Sequence, residues 1–194
     1  MKMLVGLTGL TGSGKTSAAR IFEKLGAFVV NCDAVAHSAL EYPQVKEKLF
    51  YEFESEIFDE HNIVNRKKLG EIVFSDSKKL AVLNKIVHPV VIETALSMCE
   101  NSGKDICILD GSELEESGVY KKCDLVIVIR ASDDVRLSRI TARDNITGEV
   151  ALKRMNSQKE FSKDAVFISN NEDVSSLEKK ITSLYNEFFK KINE

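Results

Sequence analysis

The chain has 194 residues, of which 43% are hydrophobic and 29% charged, the balance of an ordinary folded domain with a sizeable core. Its 27 lysines and arginines against 30 aspartates and glutamates leave a net charge of −3, which gives no general field for gripping a nucleic-acid backbone. The longest uninterrupted hydrophobic run is Leu125–Ile129, whereas crossing a membrane takes about 20 apolar residues, so no membrane span and no membrane partner are expected. The opening Met1–Gly6 reads as the start of a strand and lacks the apolar region of a signal peptide. Cys32, Cys99, Cys107 and Cys123 form no Cys-x-x-Cys pair and read as reduced, mostly buried thiols of a cytoplasmic protein.

Taken in chain order, five apolar runs are predicted strands: Met3–Leu7, Phe28–Val30, Ile106–Leu109, Leu125–Ile129 and Ala165–Ile168. They are continuously apolar rather than alternating, as in parallel strands covered on both faces. Helical stretches lie between them. Ala18, Ile21, Phe22 and Leu25 recur at helical spacing within a predicted helix over Thr16–Leu25, and Gly26 is its natural stop. This alternation predicts a doubly wound α/β sheet with its site at the carboxyl ends of the strands.

The spacing is uneven. About 75 residues separate the second and third strands, where a crossover needs only a dozen or so. The segment Asp33–Ser97 is mostly helix-compatible and reads as a helical insertion suited to a substrate-binding subdomain. Within it, Pro89 disfavours helix at His88, so His88 is expected to end a helix; capping, core and substrate-contact roles all remain open for it. A second, arginine-rich insertion, Ser132–Gln158, lies between strands four and five. Ser132 is its expected N-cap, with Asp133 and Asp134 suited to the positive end of the helix dipole.

The strongest motif is Gly9-Leu10-Thr11-Gly12-Ser13-Gly14-Lys15-Thr16, a full match to G-x-x-x-x-G-K-[ST] between a strand and a helix. Gly9, Gly12 and Gly14 let the backbone approach phosphate oxygens without a Cβ in the way. Consecutive N–H groups there, including those of Ser13 and Ser17, bind anionic oxygens at a helix N-terminus. Lys15 reaches the β- and γ-phosphates, and the Thr16 hydroxyl is a hard ligand for Mg²⁺. A nucleoside triphosphate with Mg²⁺ is therefore expected here.

Switch GTPases are disfavoured, because Asn84-Lys85-Ile86-Val87 has valine where the guanine-reading aspartate belongs and no Asp-x-x-Gly occurs. A small-molecule kinase fits the length. Asp33, just past strand two, sits where a carboxylate accepts a proton from an acceptor hydroxyl or holds Mg²⁺ through water; its alternative is to cap a helix from Ala34. Arg136, Arg139 and Arg143, at i, i+3 and i+7, place three guanidinium groups on one helical face, where they neutralise transferring phosphate or line a solvated surface.

Together these residues resemble the dephospho-coenzyme A kinase family. The resemblance is carried by the phosphate loop, Asn31-Cys32-Asp33-Ala34-Val35-Ala36-His37, Arg66 to Phe74, Leu83-Asn84 with Val87-His88-Pro89, Arg139 to Asp144, Arg154 to Gln158, and Asn170-Asn171. It runs nearly end to end. It implies a P-loop NTPase fold, three-layer α/β/α with a five-stranded parallel sheet. The whole chain is then a single kinase domain: core 1–32, 92–135 and 159–194, acceptor-binding insertion 33–91 and lid 136–158. It implies transfer of the ATP γ-phosphate to the ribose 3′-hydroxyl of dephospho-coenzyme A, with Asp33 as base, Lys15, Arg139 and Arg143 about the donor, and His37, Arg66 and His88 beside Asp33 on the acceptor side. A monomer or weak homo-oligomer is expected.

The family's first aspartate is Asn31 here, and its Asp-x-Pro-Leu-Leu-Phe-Glu is Asp110-Gly111-Ser112-Glu113-Leu114-Glu115-Glu116. A carboxylate of Glu113 or Glu115 near polyphosphate would repel it unless turned elsewhere. The competing functions are a nucleoside or nucleotide kinase and a nucleotide-binding regulator that has lost transfer.

Overall fold

A computed structural model describes residues 2–190 of the chain. Five parallel strands form one sheet: β1 Met3–Thr8, β2 Phe28–Asn31, β3 Ile106–Asp110, β4 Leu125–Arg130 and β5 Val166–Ser169. Their spatial order is β2-β3-β1-β4-β5. The registers Leu7↔Asp110 and Thr8↔Val128 align the carboxyl ends of β3 and β4 on either side of β1. The order reverses direction about β1, which makes the crevice beyond its carboxyl end the natural ligand site.

The helices are α1 Lys15–Lys24, α2 Cys32–Ala39, α3 Pro43–Phe53, α4 Arg66–Phe74, α5 Ser77–Asn101, α6 Asp133–Asp144, α7 Gly148–Asn156 and α8 Val174–Lys190. On one face of the sheet Val5, Leu7, Ile108, Ile127, Ile129 and Ile168 pack with Ala18, Phe22, Leu177 and Ile181 of α1 and α8. On the other face Leu109, Val126 and Val128 are also buried, and Leu114 and Cys123 lie against Gly6. Strands covered on both faces need no polar alternation, which is why they read as unbroken apolar runs. A Cβ on Gly6 would stand 3.0 Å from Leu114 Cδ1, so this glycine serves close packing.

The chain divides into two compact units, Met1–Asn31 with Asn101–Glu194, and Cys32–Glu100. The second unit is helical. Its core takes Val45, Leu49 and Phe53 from α3, Ile57 and Val64 from the following turn and loop, and Leu69 and Val73 from α4. The loop between them is held by Asp59, whose carboxylate accepts the N–H groups of Ile63 at 2.8 Å and His61 at 2.9 Å. Those bonds, Ile63 first, hold the carboxyl below its ordinary pKa.

One expectation for this region is corrected. His88 does not end a helix, because α5 runs unbroken through Pro89 to Asn101. Pro89 is solvent-exposed, while Val87, Val91, Ala95 and Cys99 bury one continuous stripe whose burial outweighs the lost hydrogen bond, a local cost of about 3 kcal/mol. The second compact unit, Cys32–Glu100, accordingly takes in α5 up to Glu100. Among the described residues α5 is also the one helix long and apolar enough, by length and composition, to cross a membrane. A count of uninterrupted apolar runs overlooks it, because His88 and other polar residues break the stripe.

Candidate active site

The loop after β1 carries the site. Gly12 and Gly14 hold φ of 79° and 96°, in the left-handed region that side chains other than glycine rarely adopt. A Cβ on Gly9 would lie 2.5 Å from the Ile129 carbonyl oxygen, and one on Gly14 only 2.1 Å from Asn170 Nδ2. Each glycine therefore has a steric reason in the surrounding walls as well as in the loop. Gly14 is the N-cap of α1, so the helix begins at Lys15 and presents its first, unpaired N–H groups beside the loop.

The loop carbonyls are drawn outward. Arg136 Nε donates to the Thr11 oxygen at 3.0 Å, Arg139 Nη1 to the Gly12 oxygen at 3.4 Å, and Asn170 Nδ2 to the Ser13 oxygen at 2.7 Å. Arg139 also holds the carbonyls of Asn170 and Glu172, at 2.9 and 3.2 Å. With three successive carbonyls committed to the walls, this stretch of backbone has its opposite side for an anion.

Lys15 Nζ is paired with Asp110 Oδ1. Asp110 ends β3, adjacent to β1, and is buried. Sequence reading took Asp110 only as the first residue of an altered segment. The signal that marked Asp33, a carboxylate closing an apolar strand, was equally present at Asp110. Thr16 is exposed and Ser17 half-buried, both in the first turn of α1. Ser13 Oγ and Arg136 Nη2 are the buried side-chain nitrogen and oxygen atoms without a hydrogen-bond partner among the described residues. Both can donate a hydrogen bond.

The three arginines part company. Arg136 is buried against Thr11 with Nη1 on Asp133 at 3.0 Å, and Arg139 holds the loop wall. Arg143 turns to Asp144 through Nε at 2.7 Å and Nη2 at 2.9 Å, which raises its pKa. Asp144, also paired with Arg154, is held below its ordinary range chiefly by the Arg143 hydrogen bonds. One helical stripe thus carries three arginines with different partners. Ser132 is the N-cap of α6, as expected, although its side chain makes no capping bond; its own N–H donates to Asn171 Oδ1 at 2.7 Å.

Glu115 is turned to the segment before β5. Its carboxylate accepts the Ser162 hydroxyl at 2.6 Å and the Ser162 N–H at 2.8 Å, and pairs with Lys163 at 3.1 Å. The Ser162 bonds lead in pulling its pKa down to about 2. The acidic 110–116 segment is in this respect a strap between two loops.

The remaining candidates belong to the helical unit. Asp33 lies in the first turn of α2, exposed, two residues beyond Asn31, which is in register with Asp110. Because α2 starts at Cys32, Asp33 is not its N-cap. His37 is exposed in the last turn of α2, Arg66 is exposed at the start of α4, and His88 is half-buried in α5.

A family model described as dephospho-CoA kinase matches residues 3–175. The chain belongs to the dephospho-CoA kinase family. A dephospho-CoA kinase of Fusobacterium nucleatum is 36% identical over 183 residues, covering 92% of this chain and 95% of the relative. The crystal structure of a Thermus thermophilus protein superposes with a TM-score of 0.82 at 25% identity, covering 96% of this chain and 98% of that one. A Campylobacter jejuni dephospho-CoA kinase superposes at 0.68 over the full length of both chains, and at 24% identity it speaks for the fold. The expected family and the three-layer α/β/α fold of P-loop kinases are both borne out. For a dephospho-CoA kinase, the residues whose roles sequence reading left out are Asp110, Asn170 and Gln158. Asn170 and Gln158 were visible only as family landmarks.

Proposed function

We propose that this chain transfers the γ-phosphoryl group of ATP to the ribose 3′-hydroxyl of dephospho-coenzyme A, giving coenzyme A and ADP. The observation that carries the proposal is the phosphate loop, its carbonyls fastened to Arg136, Arg139 and Asn170, in a chain of this family. Lys15 moves from Asp110 to the β- and γ-phosphates and stays with them as charge develops. Asp33 takes the proton of the attacking hydroxyl. Arg139, and Arg143 on leaving Asp144, neutralise the equatorial oxygens. His37, Arg66 and His88 supply acceptor contacts from the helical unit.

The donor set fits magnesium. Thr16 offers an exposed hydroxyl and Asp110 a carboxylate, both hard oxygen donors. No group of three or more acidic, histidine or cysteine side chains suited to a metal occurs among the described residues, but magnesium bound with a nucleotide takes only one or two protein ligands plus phosphate and water. Thr16 and Asp110 would hold the ion, which would supply positive charge to offset that of the phosphate oxygens. Action in the cytoplasm, as a monomer or weak homo-oligomer, belongs to the same proposal.

The test is ADP release with and without dephospho-coenzyme A, with NMR of the product to locate the phosphate. Release that depends on dephospho-coenzyme A and a 3′-phosphate are expected. Equal rates with adenosine, or a 5′-phosphate, would move the protein to the nucleoside or nucleotide kinases. Binding of ATP without turnover on any acceptor would make it a regulator.

A further inference from the structure

Thr11, the second of the four variable residues of the phosphate loop, is gripped on both of its peptide groups. Its N–H donates to Gln158 Oε1 at 2.8 Å, and its carbonyl accepts from Arg136 Nε at 3.0 Å. The two grips come from opposite ends of one helical pair. Arg136 lies in the first turn of α6, and Gln158 lies two residues past the end of α7. Ile140, Ala151 and Met155, with Leu137 and Ile146 packed on them, join the two helices into one body.

The grip is close as well as bonded. A Cβ on Gly12 would stand 2.8 Å from the Arg136 carbonyl oxygen, so the backbone of α6 lies directly against the loop. Arg136 is 5% exposed, and its Nη1 is fixed by Asp133 at 3.0 Å. A buried guanidinium held by two hydrogen bonds, one of them to Thr11 itself, cannot drift without dragging Thr11. A glutamine that holds the preceding N–H fixes the other side of the same residue. The backbone between Leu10 and Gly12 is thereby held at two successive peptide groups by a structure outside the loop.

We propose that Arg136 and Gln158 are positioning residues that fix the phosphate loop through Thr11, so that the α6–α7 pair sets the loop's affinity for the donor polyphosphate. The proposal rests on the reading that this loop holds the donor. Neither residue need touch the reacting atoms. Their effect is on the fraction of loops already in the binding shape, and apparent affinity falls in proportion to that fraction. One hydrogen bond of ordinary net strength corresponds to about a two- to twelvefold change in it.

Gln158→Met keeps length and loses the acceptor. It is expected to raise the KM for ATP and the Kd for ADP by about two- to twelvefold, with the KM for dephospho-coenzyme A unchanged. Amide exchange at Thr11, followed by NMR in the full chain, is expected to speed up in the same variant. A merely structural role would lower the melting temperature and leave the ATP constants of the folded protein as they were; that result overturns the proposal. So does an unchanged Thr11 exchange rate. Because Arg136 is buried, Arg136→Gln is read only beside Gln158→Met, whose half-buried side chain is safer to change. Lys15→Ala is measured in parallel. If it leaves nucleotide binding and turnover intact, the donor-loop reading itself fails; if it abolishes turnover while Gln158→Met changes nothing, only the positioning role fails.

Discussion

Lys15 of the phosphate loop and Asp110 of β3 form an ion pair whose side chains are 16% and 6% exposed. They are 95 residues apart in sequence and meet because the sheet places β3 next to β1. The carboxylate holds the ammonium at the loop with its charge compensated. Taking away one member of such a pair leaves the other charge poorly solvated. Asp110→Asn is therefore expected to lower stability by about 1–3 kcal/mol, less than a fully buried pair because Lys15 is partly wet. Saturating ADP supplies phosphates as substitute counter-charge, so the loss shrinks in its presence. Thermal denaturation with and without ADP checks this; equal losses would separate the pair from the nucleotide site.

Asp33 offers a cleaner catalytic test than its sequence position promised. It sits inside the first turn of α2 rather than at the cap, so Asp33→Asn gives up a favourable dipole interaction of about 0.3–1 kcal/mol there. Removal of a positioned base costs about 10²–10⁴-fold in rate. Steady-state kinetics are expected to show that loss in kcat with the ATP constant nearly kept. A decrease below about tenfold would leave Asp33 a helix-terminus charge.

What the sequence made legible was local. The five strands and the phosphate loop declare themselves in contiguous residues, and Met3–Leu7 against the observed Met3–Thr8 is a difference of one position. The partners of those residues were not legible, because sheet order decides them. Asp110 meets Lys15 only if β3, not β2, flanks β1. Helical period placed Arg136, Arg139 and Arg143 on one stripe but says nothing of Thr11, Gly12 and Asp144, which separate their roles. At Pro89 a sound local rule lost to a buried stripe on the far side of the same helix.

The acidic segment after Asp110 makes a pH prediction. Glu115 titrates at about 2 in the fold against 4.5 in a model peptide, with the Ser162 hydroxyl as the leading cause. A depressed carboxyl adds stability that is present above its unfolded pKa and lost as pH falls toward the folded one. Glu115→Gln should thus melt at a lower temperature than the parent at pH 6. The difference should narrow as pH falls through 4.5 toward 2. Melting curves between pH 6 and 3 check this, and a constant gap would mean that packing, not charge, holds the strap.

Arg139 and Arg143 are expected to respond differently to lysine. Arg139 spans the carbonyls of Gly12, Asn170 and Glu172, a reach that needs a planar fork. Arg139→Lys should weaken ATP binding as well as turnover, lowering kcat/KM by about tenfold or more. Arg143 is held by Asp144 and, in the proposed function, leaves that pair for the donor. Arg143→Lys should lower kcat by about tenfold or more and spare ADP binding. Titration of ADP with each variant, beside kinetics, separates them; a normal kcat would keep Arg143 as an internal pair of the lid.

Gly14 tests whether the wall opposite the loop is as fixed as its hydrogen bonds imply. A Cβ there meets Asn170 Nδ2 at 2.1 Å. That amide is not free to swing away, because it donates to the Ser13 oxygen at 2.7 Å and its own backbone N–H donates to the Arg130 oxygen at 2.7 Å. The φ of 96° adds conformational strain, of about 1–2 kcal/mol for a residue with a side chain. Gly14→Ala is therefore expected to lose nucleotide binding by well over tenfold, through both terms. Asn170→Ala removes the obstacle but leaves the φ. Adding it to Gly14→Ala should recover part of the ADP affinity, whereas alone it weakens ADP binding by freeing the Ser13 carbonyl. Calorimetric titration of the two single variants and the double variant gives the coupling directly. If the double variant binds no better than Gly14→Ala, the φ strain rather than the Asn170 wall governs this position.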